Sequence, residues 1–360
     1  MNKTARAEVH AGKDTSFLTR PPWEMVWPAS RAARAKRYIL AAVRKIEEEA
    51  LRRAVWEMLA AGAGKSLDGR LKTGAAMSVP QGASHGAAMN ATNGGGGIRL
   101  LEEPAFLART EGDSLMAAVA ARLRRPLPYD PLLAAPAAGR KSHHCYPGGW
   151  ALHTALNLRA VHSLSRAAAS CKGAPVQQDY LLAAMLLHDW AKLKLLFWHE
   201  DHELDDELGS AHHLVALAEG MVRGLPPPVI KLLAGVHNGW WRRPEGVVEN
   251  LEAAARLAGI DAERQGYLQA DRYTAGVEGW IAHQAEASWY TCTKNAYQEI
   301  MGYIRSWHEK RALPYTPARW SHAVFAFFDE FNLLSVLAAG GEEALFAFLD
   351  DWWHNTLGER

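Results

Sequence analysis

Over residues 186–201 the chain reads LLHDWAKLKLLFWHED. A segment that is apolar nearly all round has no face to offer to water, so other segments must enclose it. That demands a core several helices deep, and 360 residues, 49% of them hydrophobic, can build one. Inside the run stands an adjacent His188-Asp189 pair. Burying either side chain is costly unless a partner replaces the lost water, so the pair must be answered from elsewhere in the fold.

The surrounding text has the same character. Apolar residues recur at helical spacing over 151–170, 178–197, 211–223, 228–236, 247–257, 261–286, 292–310, 321–338 and 342–356, and loops such as CKGAP, RGLPPP and RRPEG separate most of them. Ahead of these, Ile39, Val43, Ile46, Ala50, Val55 and Leu59 mark one amphipathic helix over 31–61. Shorter periodic stretches at 100–107 and 115–123 lead to a Pro-rich turn over 125–136. No series of alternating strands is visible, so the predicted fold class is all-α, a helical bundle with extra N- and C-terminal helices.

Residues 62–97 are Gly-rich and nearly free of large apolar side chains, and they read as a flexible linker. Their neighbourhood includes AGAGKS, which lacks the first Gly of a phosphate loop at the required spacing and follows no strand. The chain therefore divides into an N-terminal segment 1–61, the linker 62–97, a helical domain 98–300 and a C-terminal extension 301–360.

Charge narrows the function classes. Lys and Arg number 40 against 39 Asp and Glu, a formal charge of +1, so no global field draws the chain to nucleic acid or membrane. Cys145, Cys171 and Cys292 form no CxxC pair, which argues against a disulfide framework and a thiolate zinc site. The N-terminus carries no apolar signal-peptide core, and a cytoplasmic location is expected. Sixteen histidines are many for this length, and most lie between His143 and His283.

Imidazole and carboxylate are the ligands that suit Zn, Mn, Fe and related divalent ions, and a metal offsets the burial of His188 and Asp189. Neighbours on a helix point about 100° apart, so both cannot readily chelate one ion, whereas a carboxylate can bridge two. Further candidates sit at the ends or faces of neighbouring helices: His153 in GGWALHTALN, His212 or His213 in GSAHHLVALAEG, His237 in LLAGVHNGW and Asp271 in YLQADRYTAG. In this order and context they resemble the HD-domain superfamily of metal-dependent phosphohydrolases, in which a first His, the His-Asp doublet and a late Asp bind metal on a bundle of helices. The resemblance spans 141–279. It implies His153 as first ligand, His188 and Asp189 as the doublet, His237 as a further ligand and Asp271 as the last, with two ions bridged by Asp189. Between the adjacent pair it favours His213, and His212 stays open. The metal could be Mn, Fe, Ni, Co or Zn.

The chain departs from the family's usual doublet context, His-Asp-apolar-Gly-Lys, by reading HDWAK, with bulky Trp190 and with Ala191 in place of Gly, so a cavity of unusual shape is expected. Lys192 is retained, and its ammonium can hold a phosphoryl oxygen near the ions. Upstream, KSHHCYPGG resembles a stretch that some members carry before the first ligand, which makes His144 and Tyr146 candidates for substrate contact or for supporting packing. After His237, NGWWRRPEG offers Trp241 for stacking and Arg242 for phosphate, or else a packed helix end. The insert WHEDHELDDELGS reads as a solvated loop, with a lid or weak cation site as alternatives. Phe325, Phe327, Phe328 and Phe331 follow helical faces and read as core.

The resemblance implies hydrolysis of a phosphomonoester or phosphodiester by metal-activated water, with Asp189 and Lys192 at the reacting centre. A nucleotide or small organophosphate is expected rather than long nucleic acid, because no basic stripe is present. Two other readings use the same residues: a mixed-valence di-iron oxygenase, and a non-catalytic nucleotide-binding or regulatory module. A homo-oligomer stays open, and 1–97 and 301–360 carry no readable motif.

Overall fold

The computed structural model describes residues 16–26, 31–63, 114–140, 142–171, 175–240, 242–268 and 276–357. All but the first two residues of the expected linker lie outside these, as do Asp271, Trp241 and the periodic stretch at 100–107. The described chain is all-α apart from one two-stranded pairing.

The amphipathic reading over 31–61 resolves into two helices, α1 (Arg31–Arg44) and α2 (Glu49–Ala63). No Gly or Pro marks the break. It is held from a distance: Asp179 Oδ2 accepts the backbone N–H of Glu47 at 2.9 Å and of Glu48 at 2.8 Å. Those amides belong to the two residues just before α2, so the Asp179 carboxylate fixes the turn there and sits at the helix N-terminus, where negative charge is favoured. A third helix, α3 (Ser114–Arg124), follows.

The central bundle comprises α4 (Gly149–Ser170), α5 (Gln178–Leu187), α6 (His212–Val222), α7 (Pro227–Asn238) and α8 (Pro244–Ala258). Helix α1 packs on α4, α5 on α4 and α7, and α6 on α7 and α8. Helix α5 is enclosed toward its C-terminal end, with Leu181, Ala183, Ala184, Met185, Leu186 and Leu187 all buried. The helix expected over 178–197 does not run through. It stops at His188, and backbone N–H groups of Trp190, Lys192, Leu193 and Lys194 then reach back three residues instead of four. This tighter winding alters the directions in which His188 and Asp189 point. The chain then forms β1 (Phe197–Trp198), antiparallel to β2 (Leu204–Asp205), with Phe197 opposite Asp205. The acidic insert is therefore a hairpin. His202 at its tip is 4% exposed and hydrogen-bonded through Nδ1 to His322 at 3.0 Å, which a freely solvated loop would not show.

Of the helix expected over 261–286, residues 261–268 form turns instead, and the part from Gly276 runs on through the helix expected over 292–310 as α9 (Gly276–Arg311), because no Gly or Pro interrupts 280–301. Residue 300 falls inside it. With 36 residues it is about 54 Å long. Ile281, Ala282 and Ala285 belong to the central core, while Tyr297, Ile300, Ile304 and Trp307 belong to a second core with α10 (Pro317–Phe327) and α11 (Glu330–Trp352). The helix expected over 321–338 is divided at Phe328, where Asp329 caps α11 by accepting the N–H of Asn332 at 2.7 Å. Helix α11 bends at Gly340 and Gly341, the latter at φ +66°, where glycine is favoured. Among the described residues, Glu330–Asn355 is the one helical stretch long and apolar enough to cross a membrane by length and composition.

Trp190 fills the gap between α5 and α2. It is 1% exposed, its indole N–H donates to Met58 O, and a Cβ at Gly62 would lie 2.6 Å from its Nε1. The bulky residue of HDWAK thus packs into the core. Trp190→Ala is expected to lower the unfolding free energy by about 3–5 kcal/mol, the usual range for truncating a buried aromatic, read from urea denaturation.

Candidate metal centre

Helix α4 presents His153 and, one turn on, Asn157, both fully buried. The end of α5 brings His188, and α9 brings Glu286. His153 Nε2 lies 3.3 Å from His188 Nε2 and 3.0 Å from Glu286 Oε2, and His188 Nε2 lies 3.3 Å from the same oxygen. Asn157 donates from Nδ2 to Glu286 Oε2 at 2.6 Å. His188 Nδ1 is 2.8 Å from Met185 O. A carbonyl can only accept, so Nδ1 carries a proton and the ring is oriented with Nε2 toward the cluster, the orientation usual for metal-binding histidines.

A second group adjoins the first. His212 Nε2 and His237 Nε2 are 3.3 Å apart, and each is 3.4 Å from Asp189 Oδ1. His212 donates from Nδ1 to Gly209 O at 2.6 Å, again turning Nε2 toward the group. The other oxygen of Asp189 faces the first group: Oδ2 is 3.3 Å from His153 Nε2, 3.6 Å from His188 Nε2 and 2.8 Å from Lys192 Nζ. One carboxylate therefore spans both clusters. His213, favoured by the family pattern, is not in this contact. One position along α6 turns its side chain about 100°, and its ring centre lies 5.3 Å from that of His237, whereas His212 supplies the converging nitrogen.

The electrostatics follow from burial among opposing groups. Burial alone would raise the Asp189 pKa, but the Lys192 ammonium and the imidazoles of His188, His153 and His237 around it hold it well below the ordinary carboxylate range. Glu286 is likewise held low, against its burial, by His153 and His188. His153 is pushed up to about 9, because Glu286 and Asp189 outweigh the cost of burying its charge. Burial drives the others down: His143 to about 2, His213 to about 3, and His144 and His212 well below 6.5.

The donor set fits divalent metal. Imidazole nitrogens and carboxylate oxygens converge within 3.0–3.7 Å, two histidines are oriented by backbone carbonyls, and Asp189 Oδ1 is buried without a hydrogen-bond partner. Glu286 and Asn157 were not picked out from the sequence. Asn157 lies four residues after His153, one turn along the same helical face, which is a signal the sequence carries; Glu286 has no comparable mark, and only the packing that buries Ile281, Ala282 and Ala285 beside it places it in the core.

Of the remaining candidates among the described residues, His144 adjoins the centre and Tyr146 and Arg242 make no contact with it. His144 is 1% exposed, with ring centre 5.5 Å from that of His153. Tyr146 is packed away from solvent, its hydroxyl donating to Glu330 Oε2 at 3.0 Å and its ring stacked on Phe325 at 4.7 Å. Arg242 is exposed in the turn after α7. Phe325 is core, and Phe327 and Phe328 are partly buried against the same cluster.

No protein-family profile matches the chain, and no solved structure does. Among curated proteins it is similar to the dihydroneopterin 2',3'-cyclic phosphate phosphodiesterase of Methanocaldococcus jannaschii, 33% identical over 97 residues. The aligned part is 26% of this chain and 39% of that protein, so the chain spans about two fifths of the relative's length. The relative is a phosphodiesterase, which fits hydrolysis of a phosphoester.

Linkage sets the pH behaviour of the chelator-treated protein. Asp189 and Glu286, with depressed pKa values, stabilise above the ordinary carboxylate range and lose that contribution as pH falls. Neutral buried His143 and His213 add to the loss below pH 6.5. His153 contributes fully below 6.5 and loses its contribution as pH rises through about 9. Urea unfolding is therefore expected to find greatest stability near pH 6.5, with a fall toward about pH 5 and about pH 9. A flat profile would count against this arrangement.

Proposed function

We propose that the chain is a metal-dependent phosphohydrolase of the HD-domain type, acting on a phosphodiester or phosphomonoester of a nucleotide or small organophosphate. The observation that carries the reading is the Asp189 carboxylate, with Oδ2 toward His153 and His188 and Oδ1 toward His212 and His237. His153, His188 and Glu286 would hold one ion, His212 and His237 the other, and Asp189 would be shared. Asp271, the ligand implied by family resemblance, remains a candidate for completing either set. Two divalent ions there would supply Lewis acidity toward a phosphoryl oxygen and lower the pKa of a bound water.

The residues divide the remaining work by exposure. His153 and His188 side chains are 1% and 0% exposed, whereas His212 and His237 are 16% and 25% exposed. Substrate therefore approaches from the His212–His237 side. Lys192, 12% exposed and 2.8 Å from Asp189 Oδ2, stands at the edge of the cluster, where its ammonium can orient a phosphoryl oxygen and offset developing negative charge. Similarity to a cyclic phosphate phosphodiesterase favours a diester as the first substrate class to assay.

The test compares wild type with Asp189→Ala. Anaerobically purified protein should carry metal by elemental analysis, and the variant is expected to lose about two ions per chain together with turnover on a panel of cyclic and linear phosphoesters. Oxygen uptake by an iron-loaded protein that releases no phosphate from any member of the panel would overturn the reading in favour of di-iron oxygenase chemistry. Lys192→Ala is expected to keep its metal but to lose about 10²-fold in kcat, the scale for removing one preorganised stabilising group. An unchanged kcat would place Lys192 outside the reaction.

A further inference from the structure

A third imidazole cluster adjoins the two described, and neither the bridging arrangement nor the curated relative assigns it a role. The loop before α4 folds back over the N-terminal end of that helix. Gly148 sits at φ +83°, and a Cβ on Gly149 would lie 1.9 Å from His144 O, so this close return requires the Gly-Gly pair. The return places His143, His144 and His153 in a near-equilateral triangle, with ring centres 5.2, 5.4 and 5.5 Å apart. One nitrogen from each lies within 4.8 Å of the others. All three residues are at least 95% buried.

His144 is the informative member. Its backbone is in the left-handed region at φ +53°, uncommon for a residue with a side chain. It is held there by its own N–H, which donates to Glu330 Oε1 at 3.1 Å. Both of its ring nitrogens are buried without a hydrogen-bond partner, an arrangement that costs free energy unless something occupies them. Nε2 lies 3.9 Å from Glu330 Oε2. A carboxylate beside one nitrogen of an imidazole is the usual means of orienting a metal-ligating histidine. Glu330 comes from the first turn of α11, so the C-terminal extension reaches back to set this loop.

We propose that His143, His144 and His153 form a third position for a divalent cation, with Glu330 as the positioning residue for His144. The inference rests on the metal-centre reading of the two neighbouring clusters. An all-imidazole set suits late first-row ions such as Co²⁺ or Zn²⁺ better than Mg²⁺ or Ca²⁺. His153 belongs also to the cluster with His188 and Glu286, which its Nε2 faces, while its Nδ1 is buried without a hydrogen-bond partner; a shared imidazole is a poorer donor to each ion, so the third binds last and most weakly.

The test is anaerobic Co²⁺ titration of chelator-stripped full-length protein, with bound metal counted after desalting and the visible absorption followed. Wild type is expected to take up three ions per chain. His144→Asn, which tolerates the left-handed backbone, and separately His143→Ala, are each expected to take up two, with thermal unfolding of the stripped proteins confirming that both fold. Glu330→Gln is expected to weaken the third binding step and leave the first two unchanged. Two ions in wild type and two in both histidine variants would overturn the third position while leaving the dinuclear reading intact. Three ions in every protein would place the third elsewhere and overturn it equally. Fewer than two in wild type would remove the dinuclear reading and this inference with it.

Discussion

Two carboxylates, Asp189 and Glu286, stand in the middle of a helical bundle with almost no access to water. An ionised carboxylate in such surroundings is tolerated only when positive charge or hydrogen-bond donors answer it. The four imidazoles of His153, His188, His212 and His237, the Lys192 ammonium and the Asn157 amide all converge on these two groups. Much of the architecture is the means of delivering them. Helix α4 supplies His153 and Asn157, α5 ends at His188, α6 begins with His212, α7 closes with His237, and α9 crosses with Glu286.

Helix α9 also explains why the chain beyond the site is needed. Its first half is packed in the central core and its second half in the C-terminal core, and Glu286 lies close to the change between them. A carboxylate on a long, doubly anchored helix is held more firmly than one on a loop, which is what a preorganised site requires. Glu330 makes a second link. It is fully buried, and burial raises its pKa, against hydrogen bonds from its own backbone, His144 and Tyr146 that lower it. The same side chain thus joins α11 to the His143–Tyr146 loop, so the C-terminal helices brace both sides of the histidine cluster.

The helical class and most of the central helices were legible in the sequence because 3.6-residue periodicity and Gly or Pro stops are local signals. α4, α6, α7 and α8 lie close to their expected bounds for that reason. The errors share a different cause. The break between α1 and α2 depends on Asp179, about 130 residues away, and the division at Phe328 depends on a cap at Asp329 that periodicity cannot weigh against continued apolar character. The helix past His188 is rewound by tertiary packing, with Trp190 drawn toward α2.

For the site, the apolar text around His188 and Asp189 marked that pair, since buried polar side chains must meet a partner somewhere, and His153 and His237 were marked through the resemblance to the HD-domain pattern. These signals could not say which of His212 and His213 turns inward, because that choice depends on the rotation of α6 about its axis, which its packing on α7 and α8 fixes. Nor could they find Glu286: a lone Glu on a long helix looks like any surface Glu until the helix is laid across the bundle. The sequence by itself determined that the chain is helical and that it buries a histidine-carboxylate chemistry. Only the tertiary structure decided which side chains share it, because distances between residues a hundred positions apart are set by how helices pack and not by the text of any one of them.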